Sequence, residues 1–293
     1  MWIADKWNKT EYILLDASDG ERLEIWNGHT VIRPDPQVVW KGVCRNPGWK
    51  RPDASYKRSS SGGGSWSELN SLPEEWEMTY ASLALKFVIR PMGFKHMGIF
   101  PEQAANWEWF TPIIRNAVEA GRDIKVLNLF AYTGGATAAA AKAGAAVVHV
   151  DASKGMTALA KRNAVLSGLA GAPIRYIVDD CKKFIEREIR RGNRYDAIIM
   201  DPPSYGRGPN KEIWKFEDSI SEFVSLAVKL LSGDPLFFLL NSYTTGLSPA
   251  ATEYILRLDL PSGVFTSSEL GLPVKQTGAA IPCGSAARWR RSV

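Results

Sequence analysis

The stretch KVLNLFAYTGGAT, residues 125–137, decides the fold. Its apolar run of Val126, Leu127, Leu129 and Phe130 reads as a buried strand. The run breaks into a turn at Gly134-Gly135, and an alanine-rich helix over 136–143 follows. Strand, glycine turn and helix form the arrangement that seats nucleotide-like ligands at the carboxyl edge of a parallel sheet. Glycine has no Cβ and tolerates positive φ, so the expectation is a backbone that a ligand can approach closely.

Downstream of that turn the pattern is regular. Strands over 146–150, 174–178, 195–200 and 236–240 alternate with helices over 153–167, 181–191 and 219–232. Such alternation implies βαβ units and an α/β, Rossmann-like fold with a mostly parallel, doubly wound sheet. A helix over 253–258 and short strands over 264–266 and 279–281 are expected to complete it.

Upstream, residues 1–90 have strand and turn character. Apolar runs at 12–16, 23–26 and 30–32 are separated by Asp19-Gly20 and Asn27-Gly28, which are hairpin signals. Segments 37–40, 76–80 and 83–89 are further candidate strands, and the Ser/Gly run 59–65 is expected to be a flexible tip. The expected organisation is therefore a small antiparallel β domain at 1–90, with a possible substrate-binding role. A connector and cofactor-covering segment at 91–121 leads to the α/β domain at 122–293. The connector is either a hinge whose aromatic residues are ordinary core or a lid over the glycine turn.

Bulk composition sets limits. The chain has 293 residues, is 45% hydrophobic, and carries a net charge of +5 with a pI near 9.0. That balance permits an anionic partner without requiring one. Basic residues bunch at 41–58, 182–194 and 288–291, as solvated faces or as a nucleic-acid footprint. In the β domain, Trp26, Arg33, Trp40 and Arg45 could grip RNA or could be packing. Three scattered cysteines, Cys44, Cys181 and Cys283, suit a reducing compartment and suggest neither disulfides nor a metal site. With no signal-peptide core and no long apolar run, a cytoplasmic protein without a membrane span is expected.

Chemistry-bearing residues follow the strands. Asp151 ends the second strand, where a carboxylate can accept hydrogen bonds from a ribose diol or cap the next helix. Asp180 ends the third, placed to meet an adenine amino group or, again, to cap a helix. Asp201-Pro202-Pro203-Ser204-Tyr205 ends the fourth. Two prolines remove two backbone donors and fix φ, so outward carbonyls are expected beside the Asp carboxylate. Together they suit a planar N–H edge, and Tyr205 could stack on a base.

These words, in this order, resemble the class I S-adenosylmethionine-dependent methyltransferases, and more narrowly the bacterial 23S rRNA large-subunit methyltransferases I and K. LNLFAYTGGAT is similar to the first motif, VDAS to the ribose-binding one, DDC to the adenine-binding one and DPPSY to the catalytic one. The resemblance covers about 95–245. It implies S-adenosyl-L-methionine as cofactor and a cofactor set of Asn128, Phe130, Ala131, Tyr132, Thr133, Gly134, Gly135, Asp151, Ala152, Ser153, Asp180, Cys181 and Asp201. It also implies that Phe100, Pro101 and Gln103 lie against the cofactor, and that Asp201, Pro202, Pro203 and Tyr205 are catalytic.

Two departures shape the expected reaction. The separate amino-terminal RNA-binding domain of the large-subunit methyltransferase I group is not apparent. Methylation of cytosine carbon 5 needs a thiol nucleophile, yet the stretch after the fifth strand is Asn241-Ser242-Tyr243-Thr244-Thr245-Gly246. A nitrogen of an RNA base, in rRNA, is therefore the expected acceptor, with Asn241 and Ser242 as further hydrogen-bonding groups. Methylation of a protein or small molecule, and a non-catalytic RNA-binding protein keeping this fold, remain the alternatives.

Overall fold

The computed structural model describes residues 1–42, 46–59, 63–67, 72–207 and 213–292. Seventeen strands and six α-helices are present among the described residues. In the amino-terminal part the strands are β1 (Trp2–Ile3), β2 (Tyr12–Ser18), β3 (Glu21–Trp26), β4 (His29–Pro34), β5 (Ala54–Arg58), β6 (Gly64–Ser67), β7 (Trp76–Tyr80) and β8 (Leu85–Ile89). Helix α1 (Ala104–Glu119) follows, then β9 (Lys125–Leu129), α2 (Gly135–Lys142), β10 (Ala146–Asp151), α3 (Lys154–Leu166), β11 (Ile174–Val178), α4 (Cys181–Arg191) and β12 (Ala197–Met200). The chain finishes with β13 (Tyr205–Arg207), β14 (Ile213–Lys215), α5 (Phe216–Val228), β15 (Phe237–Ser242), α6 (Pro249–Asp259), β16 (Gly263–Pro273) and β17 (Ala280–Arg291).

The chain divides into two compact units. One comprises Met1–Trp2, Asn106–Leu270 and Gly284–Val293; the other comprises Ile3–Ala105 and Gly271–Cys283. Strands β16 and β17 each contribute residues to both units.

The larger unit is an α/β fold. Its sheet runs β1-β16-β17-β15-β12-β9-β10-β11. The pairs β10–β11, β10–β9, β12–β9 and β12–β15 are parallel, and β15–β17 is antiparallel. Buried Leu127, Leu129, Val150, Ile198, Met200 and Phe238 pack with Phe184, Ile185, Phe223 and Val224 of α4 and α5 to form the core. Strands buried on both faces read as continuous apolar runs rather than alternations, which is why they are legible.

Helix boundaries have local causes. Ser153 Oγ accepts the Met156 N–H to start α3, Asp180 starts α4, and Gly192 at φ 70° ends α4. The last two strands far exceed the expected segments 264–266 and 279–281, whereas α5 begins three residues before the expected helix.

The smaller unit holds a five-stranded sheet, β2-β3-β4-β5-β6, and the β7–β8 hairpin. It is mostly antiparallel, with β4–β5 parallel. The Asp-Gly and Asn-Gly turns sit at the β2–β3 and β3–β4 connections, with Asp19, Gly20, Asn27 and Gly28 all at positive φ. Segment 37–40 forms no strand. Trp26 is fully buried and Arg33 nearly so, with Nε and Nη2 of Arg33 bonded to Glu24 at 2.6 and 2.8 Å. Those two residues are packing, while Arg45, Cys44 and most of the Ser/Gly run lie outside the described residues.

Candidate active site

Sheet register brings the candidate residues to one edge. Leu129 pairs with Val150 and with Met200, and Met200 pairs with Leu240. The next residue on each strand, Phe130, Asp151, Asp201 and Asn241, therefore emerges at the same carboxyl edge. Asp151 itself pairs with Val178, so Asp179 and Asp180 follow at that edge too.

The glycine turn is held from within. Phe130 N–H points to Cys181 Sγ (3.4 Å), Ala131 N–H donates to Val150 O (3.0 Å), Tyr132 N–H to Asp151 Oδ2 (2.8 Å), and Gly134 N–H to Ala131 O (3.0 Å). Phe130 and Tyr132 take φ of 54° and 49°, a region costly for non-glycine residues. Asn163 Nδ2 fixes the turn further by donating to Thr133 O at 2.9 Å. With these four amides engaged, this part of the turn does not offer the donor cradle that a pyrophosphate requires.

The glycines serve packing more than ligand approach. A Cβ on Gly134 would stand 2.8 Å from Ala160 Cβ, and one on Gly135 would stand 2.6 Å from Trp107 Cζ2. Only Gly134 has positive φ, at 80°. Close approach is required here, by helices α3 and α1.

Asp151, the carboxylate expected to meet a ribose diol, is held by two backbone donors. Oδ1 accepts the Ser153 N–H and Oδ2 the Tyr132 N–H, each at 2.8 Å. One acceptor site per oxygen remains, which matches a vicinal diol. Burial raises the carboxyl pKa, and the two backbone donors oppose that rise. Ala152 and Ser153 are exposed beside it, and Ser153 caps α3.

Asp180 is exposed and caps α4, with Oδ1 accepting the Lys183 N–H at 2.9 Å. Neighbouring Asp179 pairs with Arg187 at 2.6 Å. Cys181 is buried, and burial pushes its thiol pKa far up. Asn128 is also buried: Nδ2 donates to Thr137 Oγ1, which in turn lies 2.9 Å from His149 Nδ1. That chain runs behind the turn, where the fully buried His149 has its pKa lowered to about 4 by desolvation.

At the fourth strand end, Pro202 is buried, Pro203 exposed, and Tyr205 is 52% exposed. The expected outward carbonyls are partly committed. Trp214 Nε1 donates to Pro203 O at 2.6 Å, and Phe216 N–H donates to Ser204 O at 3.0 Å. Trp214 also meets Phe130 and Phe223 at ring separations of 5.7 and 5.5 Å. This tryptophan, unflagged by any sequence period, pins the proline exit.

Asn241 has a different partner from the one expected. Its Oδ1 accepts from Asn106 Nδ2 at 2.8 Å, and Asn106 Oδ1 accepts from Arg288 Nε and Nη2 at 3.1 and 2.6 Å. The Arg288 guanidinium lies over the Trp2 and Trp109 rings at 3.5 and 4.8 Å, and burial lowers its pKa to about 9. Ser242 is buried too, its Oγ accepting the Thr244 N–H at 3.2 Å.

Phe100, Pro101 and Gln103 belong to the smaller unit, in and before a short 3-10 turn. Pro101 O accepts from Trp7 Nε1 at 2.9 Å, Gln103 N–H donates to Phe100 O, and Phe100 meets His96 edge-on. Among the described residues there is no metal-binding cluster, and no helix is long and apolar enough to cross a membrane.

Comparison with known proteins agrees with this arrangement. The profile of the S-adenosylmethionine-dependent methyltransferase family matches residues 65–246. The crystal structure of an S-adenosylmethionine-dependent methyltransferase from Agrobacterium tumefaciens is 36% identical with a TM-score of 0.87, covering 96% of this chain and 91% of that one. A methyltransferase from Streptococcus mutans shares the fold at 16% identity and a TM-score of 0.72, covering 96% of this chain and 75% of its own.

Among sequence relatives, the ribosomal RNA large subunit methyltransferase K of Neisseria meningitidis serogroup B is 33% identical over 120 residues, 40% of this chain and 34% of that protein. The K/L enzyme of Shewanella frigidimarina is 32% identical over 150 residues, 50% of this chain and 20% of that one. The chain thus spans between a fifth and about a third of the length of these relatives. With the profile covering more than half the chain, and a solved methyltransferase 36% identical over nearly its whole length, the chain belongs to the S-adenosylmethionine-dependent methyltransferase family.

Proposed function

We propose that this methyltransferase modifies a nitrogen of a base in RNA, with ribosomal RNA as the natural source. The observation that carries the nitrogen assignment is the burial of the two thiols among the described residues, Cys44 lying outside them. Cys181 and Cys283 are 4% and 7% exposed, and burial pushes both pKa values far above the usual thiol range. Neither is the accessible thiolate that attack on a pyrimidine ring requires. The RNA assignment draws support from the names of relatives about 32–33% identical over 120–150 residues of this chain.

When bound, S-adenosyl-L-methionine supplies an electrophilic methyl group on a sulfonium centre. In this proposal the chain's own residues bind and orient. Asp151 receives the ribose diol on its two remaining acceptor sites. Asp180, Phe130 and the turn 131–135 bound the rest of the cofactor site. Asp201 and the Pro202 carbonyl accept hydrogen bonds from the target's N–H edge, directing the nitrogen lone pair. Trp214 holds the proline exit in place through Pro203 O. Nitrogen is nucleophilic without a covalent step, so alignment supplies most of the acceleration.

The test is transfer of labelled methyl groups to total RNA and total protein from cells lacking this protein. The expected result is label in RNA, recovered as an N-methylated nucleoside after digestion. A 5-methylcytosine product overturns the nitrogen assignment, and label confined to protein overturns the RNA one. Asp201→Ala is expected to abolish transfer while cofactor affinity by calorimetry stays within a few-fold.

A further inference from the structure

In the smaller unit, residues 90–98 make a turn that is anchored from several sides. Arg90 N–H donates to Met97 O and Met92 N–H to His96 O, closing the loop on itself at 3.2 and 2.9 Å. Trp66 Nε1 donates to Met92 O at 2.8 Å, and Arg33 Nη1 to Lys95 O at 3.0 Å. Lys95 Nζ reaches Pro34 O at 2.9 Å. At the tip of this fixed turn stands Phe94, 67% exposed and at φ 60°. A bulky residue at positive φ is an outlier, and leaving its ring in water gains nothing in folding.

Basic side chains stand near the turn: Arg33 bonds to Lys95 O and the Arg58 charge acts on Lys95, whereas Lys57, on the opposite strand face, acts on Glu21. Tyr56 and Trp66 are cross-strand partners on β5 and β6, with rings 5.3 Å apart. Arg58 is two residues beyond Tyr56 and so shares its face. Lys57 and Arg58 are exposed. Lys95 has its pKa drawn down to about 8, first by burial and then by the positive charges of Arg33, Arg22 and Arg58, with Asp35 opposing. An apolar protein surface laid on Phe94 would have to desolvate these cations. A polyanion with flat, stackable faces would not.

We propose that the Phe94 turn is a docking point for single-stranded RNA, with the ring stacking on one unpaired base and Arg58 meeting a flanking phosphate. This inference rests on the RNA reading above and assigns part of the substrate's recognition to the smaller unit. Base–aromatic stacking tolerates any base, so the contact adds affinity and placement rather than sequence specificity.

The test uses the full chain and a fluorescein-labelled single-stranded RNA of mixed sequence, read by anisotropy. Phe94→Gly is the informative variant, because it removes the ring while relieving the backbone. It is expected to weaken RNA binding about tenfold, with S-adenosylmethionine affinity and melting temperature unchanged or raised, while Phe94→Trp binds as well as the wild type. Arg58→Glu is expected to weaken binding and flatten its salt dependence.

Tight, salt-dependent binding by both wild type and Phe94→Gly overturns the docking point and leaves the RNA reading standing. No RNA binding by the wild type overturns both. A concentration-dependent dimer that Phe94→Gly abolishes, seen by sedimentation, assigns the ring to a second copy and overturns the proposal.

Discussion

At the scale of single residues, the glycine pair and His149 have the sharpest consequences. Gly135 is not at positive φ, so an alanine there suffers only from Trp107, whose Cζ2 would lie 2.6 Å from the new Cβ. Gly135→Ala is expected to destabilise by about 1–3 kcal/mol in urea denaturation, the usual cost of overpacking. Adding Trp107→Leu should recover part of it. His149 is neutral in the folded chain, its pKa lowered from 6.5 to about 4 by burial. The unfolded chain therefore binds more protons between those values, and stability rises with pH across that window. His149's contribution is fully present above about pH 6.5 and is lost as pH falls towards 4, a change worth about 3 kcal/mol. Subtracting the pH profile of His149→Gln from that of the wild type should isolate this slope. A flat difference would mean that the imidazole is charged in the folded state.

At the scale of elements, capping and ligand binding compete to explain Asp180. Its Oδ1 already starts α4 through Lys183 N–H. A serine would restore the cap without the carboxylate. Asp180→Ser is expected to melt within about 1 kcal/mol of the wild type but to bind S-adenosylmethionine more weakly by calorimetry. Unchanged affinity would reduce Asp180 to a cap. The same competition explains what the sequence revealed. The strands 125–129 and 146–151 were legible because burial leaves nearly continuous apolar runs, the edge strand 174–178 because β-branched and aromatic residues flank its exposed Arg175, and Asp151 and Asp201 because they end strands. Strand β17 was not. Its Arg288 looks like part of a solvated basic cluster, yet it lies buried between two indoles on Asn106. Residues 182–194 illustrate the opposite case. Lys182, Arg187 and Arg191 pair with Glu222, Asp179 and Glu188, so half of that basic bunch is ion-paired. Trp214 carried no signal either, because its role depends on a carbonyl eleven residues away in sequence.

At the scale of the whole molecule, the two units are not consecutive segments of chain. The sheet of the larger unit takes β17 against β15, from Phe237–Arg290 to Ser242–Ser285. The tip between β16 and β17 belongs to the smaller unit, where Lys275 and Gln276 N–H donate to Leu14 and Leu15 carbonyls at 2.9 Å. Two strands thus have one end in each core. Melting either core frays strands that the other depends on, so thermodynamically the protein should count as one domain. Scanning calorimetry is expected to give a single endotherm whose calorimetric and van't Hoff enthalpies agree. S-adenosylmethionine should then move that whole transition upward in temperature by mass action. Two resolved peaks, with only one shifting, would show that the strands do not transmit unfolding. A single peak means that a ligand bound at the carboxyl edge of the larger unit's sheet also protects the smaller unit from proteolysis that proceeds through global unfolding. Cofactor supply would then set the lifetime of the entire chain.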